Sequence, residues 1–277
     1  MLAVSLIVVL ATYAVLIETW RRMVVAWGDE LPFRDAARIW FLSNLARYVP
    51  GVNQVLALGA MAELARRRRI SPVAAAGASV INTVVNIATG FVIALLAGFT
   101  ALDTLSKGHA MLGVIVAVVL LAGLLLLPSI LPWVLGTAQR VTGRQLGLGP
   151  LPHRAIYISL AGNLIAWVMY GLAFQRFVFG VLGQSPGAFG DYVAVWAAAY
   201  VIGYLVVLLP AGLGAREGAL AAGLPMLQLT TPAAALVIAV SYRLWLTVLE
   251  ILPAVIYLAR GARPQPRDTS RRDGSIL

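Results

Sequence analysis

Long apolar runs, broken at a few places by charge or by proline and glycine, dominate the chain. The first extends from Leu2 to Ile17 and stops at Glu18 and Arg21-Arg22. Others occupy Val73 to Phe99, Met111 to Val134, Ala155 to Phe179, Val193 to Leu209 and Ala233 to Leu258. A helix of roughly 20 apolar residues matches the hydrocarbon thickness of a bilayer. The pattern therefore predicts an all-α fold, a polytopic integral membrane helical bundle. Spans are expected at about 2–20, 73–99, 111–134, 155–180 and 233–259, within a single transmembrane domain over residues 1–259. The first run has neither the charged start nor the small-residue cleavage site of a secretory signal, so it is expected to remain as a span.

Two segments do not behave like spans. Residues 36–65 are apolar overall but contain Arg38, Asn44, Arg47, Pro50, Gly51, Asn53 and Gln54. Proline removes a helix donor and disfavours helix in the residue before it, so Pro50-Gly51 should break the stretch near its middle. Each arm then has about 14 residues, roughly 21 Å of helix against about 30 Å of hydrocarbon. A re-entrant hairpin with both ends on one side follows. Residues 193–229 break likewise around Pro210, Gly212 and Gly214, just before Arg216-Glu217. This second element is either a hairpin with both ends on the other side or two short spans that meet at a surface. Span, hairpin, span on each side of the 111–134 connector is the layout of an inverted repeat, which in transporters puts a site between broken elements near the midplane. Entry of both hairpins from the same end would remove that expectation.

Composition sharpens the class. Of 277 residues, 61% are hydrophobic and 12% charged, against about half and about a quarter in a soluble domain. Cysteine is absent, and the two histidines, His109 and His153, fall in expected loops on opposite sides. Disulfides, thiolate chemistry and the usual zinc or iron–sulfur sites are excluded. The chain carries no Walker motif, and the glycines of GLGAREG lack dinucleotide-binding spacing and context. No enzyme activity, cofactor or metal is expected.

The formal charge of +10 comes from 21 basic residues, all arginine except Lys107, against 11 acidic ones. In so apolar a chain, arginine marks orientation rather than nucleic acid. One threading gathers Arg21-Arg22, the Arg66 to Arg69 run, Arg140, Arg144, Arg154 and the tail arginines on one side. It implies a cytoplasmic (inner) membrane protein with its N-terminus outside and its C-terminus in the cytoplasm. The tail, residues 260–277, is rich in Arg, Pro, Ser and Gly, so it is expected to be disordered. It would either touch anionic inner-leaflet lipids or serve as a topology determinant alone.

Charges within apolar segments cost about 2.5 to 3.5 kcal/mol each on insertion scales and face a cavity or a partner. Those here are Arg47, Arg216, Glu217, Arg243 and Glu250. Arg243 and Glu250, seven apart, share a helix face. The last four would either neutralise one another in a buried network or bind substrate, and one role does not exclude the other. Arg47 has no nearby acid, and its planar fork suits a phosphate. Ser79, Asn82, Asn86 and Thr89 recur at three- and four-residue spacings, which either line a headgroup pathway or tie helices together by hydrogen bonds.

At these residues a family becomes recognisable. FLSNLARYVPGVNQVLALGAMAELARRRRISPVAAA (Phe41 to Ala76), the helix with Asn82 and Asn86, LPAGLGAREGALAAGL (Leu209 to Leu224) and SYRLWLTVLEILP (Ser241 to Pro253) resemble the transmembrane flippase region of the lysylphosphatidylglycerol synthase family. The resemblance covers about Ala36 to Leu258. It implies a stand-alone member without the soluble synthase domain, and a lipid translocase whose hairpins line a groove. Substrate-binding residues would be Arg47, Asn82, Asn86, Arg216, Glu217, Arg243 and Glu250, with breaks at Pro50, Gly51, Pro210, Gly212 and Gly214. The partners implied are membrane lipids: an anionic or aminoacylated phospholipid, or a polyprenyl or hopanoid lipid. A lipid-modifying enzyme is a further candidate partner. The alternative is a non-transporting scaffold or accessory subunit of a lipid or glycan pathway.

Overall fold

The computed structural model describes residues 1–46, 54–98, 110–142, 151–206 and 214–261. Among them are nine helices and no strand: α1 (Leu2–Ala26), α2 (Phe33–Leu45), α3 (Gln54–Arg66), α4 (Pro72–Ala97), α5 (Ala110–Thr142), α6 (His153–Leu182), α7 (Phe189–Leu205), α8 (Ala215–Met226) and α9 (Pro232–Gly261). Five of these, α1, α4, α5, α6 and α9, are long and apolar enough to cross a bilayer. The chain is a multi-pass membrane protein of all-α class. Arg47, Pro50, Gly51, Pro210, Gly212 and tail residues 262–277 lie outside the described residues.

The helices outrun the apolar runs that announce them. Helix α1 continues past Ile17 to Ala26 because its charges are neutralised along its own axis. Glu18 accepts from Arg21 and Arg22, one turn on, each at 2.6 Å. Helix α5 keeps Pro128 and Pro132 inside one 33-residue helix, roughly 50 Å long at 1.5 Å per residue. It lies along α4 and α6 and turns residues such as Val119 and Trp133 outward.

Contacts along the helices fix their directions. Helices α1 and α6 run antiparallel: Leu2 meets Gly180, Ser5 Oγ donates to the Ala173 carbonyl at 2.8 Å, and Thr19 lies against Gly162. A Cβ on Gly162 would run into Thr19 Cγ2. Small residues at such crossings let membrane helices approach closely, where packing rather than hydrophobicity holds them together. Trp20 is buried and donates to the Ala75 carbonyl at 3.1 Å, which pins the end of α1 to the start of α4.

Two antiparallel pairs of short helices complete the bundle. Helices α2 and α3 have 13 residues each, and their outer ends are joined by an ion pair of Asp35 with Arg68. That end also holds the end of α1 and the start of α4, where Ser71 N–H donates to Asp29 at 3.0 Å. We refer to it as the basic end. Helices α7 and α8 have 17 and 12 residues, and their outer ends lie at the opposite end of the bundle, where Gly187 packs on Leu229. Toward the apex of this pair Gly203 rests against Arg216, and a Cβ there would come 2.8 Å from Arg216 Cβ. The two pairs thus enter from opposite ends. Near the inner end of α7, Tyr200 is in edge contact at 5.2 Å with Trp167, at the midpoint of α6.

Candidate functional site

The start of α8 carries the densest charge at mid-depth. Gly214, its N-cap, has φ +84°, a left-handed conformation that glycine adopts without strain. Glu217, three residues on, turns back so that Oε2 accepts the Gly214 N–H at 2.7 Å. Its other oxygen, Oε1, lies 3.4 Å from Arg243 Nε on α9. These two side chains keep only 14% and 15% of their surface exposed. Asp191 at the start of α7 caps in the same manner, accepting from Ala188 N–H at 2.9 Å.

Arg216 takes a different partner. Its guanidinium carbon sits 4.0 Å above the Trp196 ring and 4.8 Å from the Tyr200 ring centroid. Among the described residues it makes no ion pair. A guanidinium held on aromatic faces keeps its N–H edges for another acceptor, and a desolvated cation–π contact is worth about 2 kcal/mol. Arg243 lies within electrostatic range of it. So do the tyrosines Tyr170, Tyr200 and Tyr242, and Tyr170 in turn senses Glu250.

Several polar atoms here lack hydrogen-bond partners among the described residues: Trp196 Nε1, Tyr242 Oη, Trp245 Nε1 and Glu217 Oε1. Trp196 and Tyr242 are buried, with ring centroids 4.8 Å apart in edge contact. Buried polar groups are almost always paired, so three unpartnered donors on α7 and α9, beside a Glu217 oxygen held only by its ion pair with Arg243, set this region apart.

The structure divides the residues that the sequence grouped. Arg216, Glu217 and Arg243 come together at the apex of the second pair. Glu250 is buried on α9, two turns from Arg243 on the same helix face. Asn82 and Asn86 belong to a separate cluster between α1, α4 and α6. There Asn82 Oδ1 accepts from Thr19 Oγ1, Ser159 Oγ and Asn163 Nδ2 at 3.3, 2.9 and 3.0 Å, and Asn86 Nδ2 donates to Asn163 Oδ1 at 2.7 Å. These groups are spent on one another, the geometry of interhelical hydrogen-bond glue. Trp167 joins the cluster to the site: its Nε1 donates to the Asn86 carbonyl at 3.1 Å and to Thr89 Oγ1 at 3.2 Å while its ring meets Tyr200.

The aromatic platform was not among the residues singled out from the sequence. Its signal was present: Tyr192, Trp196, Tyr200 and Tyr204 recur every four residues, one face of a helix. Further rings carry the platform across the bundle. Tyr170 meets Tyr13 at 6.5 Å, and Tyr13 meets Trp40 and Phe41 of α2 at 5.6 and 5.9 Å. Rings thus run from α7 through α6 and α1 to the middle of α2. No group of three or more metal-ligating side chains occurs among the described residues. No protein-family model and no curated protein matches this chain.

Proposed function

We propose that the protein is a lipid translocase, which moves a phosphate-bearing lipid across the membrane along the region between its two broken hairpins. The observation that carries this reading is Arg216, a mid-depth guanidinium seated on Trp196 and Tyr200 instead of on a carboxylate. A cation held in this way, with the Glu217–Arg243 pair and the unpartnered Trp196 and Tyr242 donors beside it, suits an oxyanion that arrives with a hydrophobic tail. Hairpins entering from opposite ends also match the arrangement in which transporters keep a site near the midplane. Glu217 and Glu250 balance the arginines or meet a cationic headgroup. Arg47 is a further phosphate ligand on sequence grounds.

Headgroup movement in proteoliposomes tests the reading. Purified protein should move a labelled anionic or aminoacylated phospholipid faster than empty vesicles do. The Arg216→Gln, Arg243→Gln double variant should bring the rate back to that of empty vesicles. Equal rates for wild type and the double variant would end the proposed role of these arginines. No movement of any lipid by the wild type, together with a stably co-purifying enzyme, would favour an accessory subunit.

A further inference from the structure

At the basic end, most of the clustered arginines already have carboxylates. Glu18 takes Arg21 and Arg22, Glu63 takes Arg66 and Arg67, and Asp35 takes Arg68. Arg34 and Arg38 of helix α2 are among those that have none, as are Arg69, Arg154 and Arg260 among the described residues. Asp35 lies between Arg34 and Arg38 in sequence, yet its carboxylate is directed to Arg68 on the other arm of the hairpin. Arg34 and Arg38 make no ion pair among the described residues.

Three features make this an anion site rather than a solvated patch. First, Arg34 stands in the first turn of α2, where the helix dipole disfavours a cation and favours an anion. The N-cap of that helix is Pro32, which offers no side-chain cap; its carbonyl accepts from the Asp35 and Ala36 N–H groups, which leaves those of Phe33 and Arg34 for a ligand. Second, Arg34, Arg38 and Phe41 follow at four and three residues and share one face. Burial increases along it, from exposed Arg34 through half-buried Arg38 to Phe41 at 7%. Third, that face leads inward along α9. Phe41 stacks on Tyr257 at 6.4 Å and 27°. Tyr257, Glu250 and Arg243 then recur every seven residues up the same face of α9. The two cations stand at the outer mouth of a seam whose inner end is the mid-depth arginine cluster.

We propose that Arg34 and Arg38 form an outer docking step that holds the headgroup of an anionic phospholipid at the mouth of the α2–α9 seam. The basic end is the end at which an arginine-rich membrane protein meets an anionic leaflet. Half-buried Arg38 can reach a headgroup phosphate while the acyl chains stay in the hydrocarbon. The inference takes up the lipid-handling reading above but concerns binding alone, so its test reads binding and not movement.

Native mass spectrometry of the full chain, released from nanodiscs that contain phosphatidylcholine and phosphatidylglycerol, counts bound anionic lipid directly. Arg34→Gln with Arg38→Gln should lower phosphatidylglycerol occupancy about tenfold, from the loss of two cations near the membrane surface. Arg66→Gln with Arg67→Gln removes the same charge from the same end and should change occupancy less than about threefold, because Glu63 already holds those cations. Arg38→Gln alone, a milder change, should lower it by an intermediate factor, and thermal unfolding of each variant checks that the fold is intact. Equal losses in both double variants, or no loss in the first, would overturn the proposal. Displacement of phosphatidylglycerol by millimolar inorganic phosphate would overturn it too, since the site would then recognise free phosphate and not a lipid. If Arg34→Gln, Arg38→Gln loses lipid while no variant, wild type included, moves lipid, docking stands and translocation falls. Transport by the wild type with occupancy unchanged in that variant gives the reverse.

Discussion

Two polar clusters lie buried at similar depth in this bundle, and they are built in opposite ways. Between α1, α4 and α6, the side chains of Thr19, Asn82, Asn86, Ser159 and Asn163 bond to one another. At the apex of α7–α8, Arg216 rests on rings and Glu217 leaves one oxygen without a hydrogen bond, while the Trp196 and Tyr242 donors go unused. In low dielectric a satisfied network rigidifies and an unsatisfied one is costly. Polarity alone marks both clusters, but only the second holds unused bonding capacity, and function is to be sought there. The comparison predicts that damage to the first will appear as lost stability and damage to the second as lost activity.

The largest expected effect is therefore structural. Asn163→Leu deletes the donor to Asn82, the donor to Ser159 and the acceptor for Asn86. It should destabilise the protein by about 2 kcal/mol, from three interhelical or intrahelical bonds of roughly 0.6 kcal/mol each and the groups left unpaired. Thermal unfolding in a fixed detergent measures this. Lipid movement per folded molecule should stay within about twofold. A variant of full stability with no transport would move this cluster into the substrate pathway and dissolve the comparison.

Arg216→Gln should show the reverse. Transport in proteoliposomes should fall at least tenfold, about 1.4 kcal/mol in a rate barrier, while the midpoint of unfolding changes little. Removing a cation that has no carboxylate partner among the described residues relieves desolvation as much as it costs cation–π contact. A large drop in stability with transport per folded molecule preserved would make Arg216 a structural residue.

Gly203→Ala lies between the two outcomes. The added Cβ would meet Arg216 Cβ at 2.8 Å and its Cα at 3.4 Å, so α7 and α8 must part slightly at their apex. Overpacking of this kind costs about 1 kcal/mol, and the shift would displace Arg216 from its rings. Stability and transport should decline together, and the quenching of Trp196 fluorescence should change. If transport alone declines, the apex is more pliable than the close contact implies.

How much of this was legible from sequence varies with the physics involved. Apolar runs of span length revealed the five long helices, because one-dimensional hydropathy is enough to call for a membrane helix. Their ends were misjudged where charge is neutralised locally, as at Glu18 with Arg21 and Arg22, since an apolar count treats every charge as a stop. Two pairs of short helices, α2 with α3 and α7 with α8, stand on either side of the breaks expected from sequence, while Pro50, Gly51, Pro210 and Gly212 themselves lie outside the described residues. The division between Asn82 and Arg216 could not be read, because both are polar residues in apolar helices. Only the partners that other helices bring decide which is satisfied. The same holds for the fate of Asp35, which lies beside Arg34 in sequence but binds Arg68 in the fold.

The smallest effect concerns a carboxylate set between two arginines at the surface instead of at depth. Glu63 accepts from Arg66 at 2.8 Å and from Arg67 at 2.8 Å, both exposed. The Arg66 hydrogen bond, followed by that of Arg67, pulls its pKa down to about 2. With a folded pKa below that of the unfolded chain, near 4.3, the pair contributes stability at pH above about 4.3 and loses it as pH falls toward 2. Wild type should therefore lose its advantage over Glu63→Gln between those limits, and added salt should erase the difference at neutral pH, because exposed pairs are screened. Acid-limb unfolding curves at low and high ionic strength measure both. At the apex the corresponding variant, Glu217→Gln, uncouples Arg243 where water and salt reach poorly, so its effect should persist at high ionic strength. Equal salt sensitivity of the two variants would mean that the apex is as wet as the surface, and that its unpaired atoms are met by water and not held for a ligand.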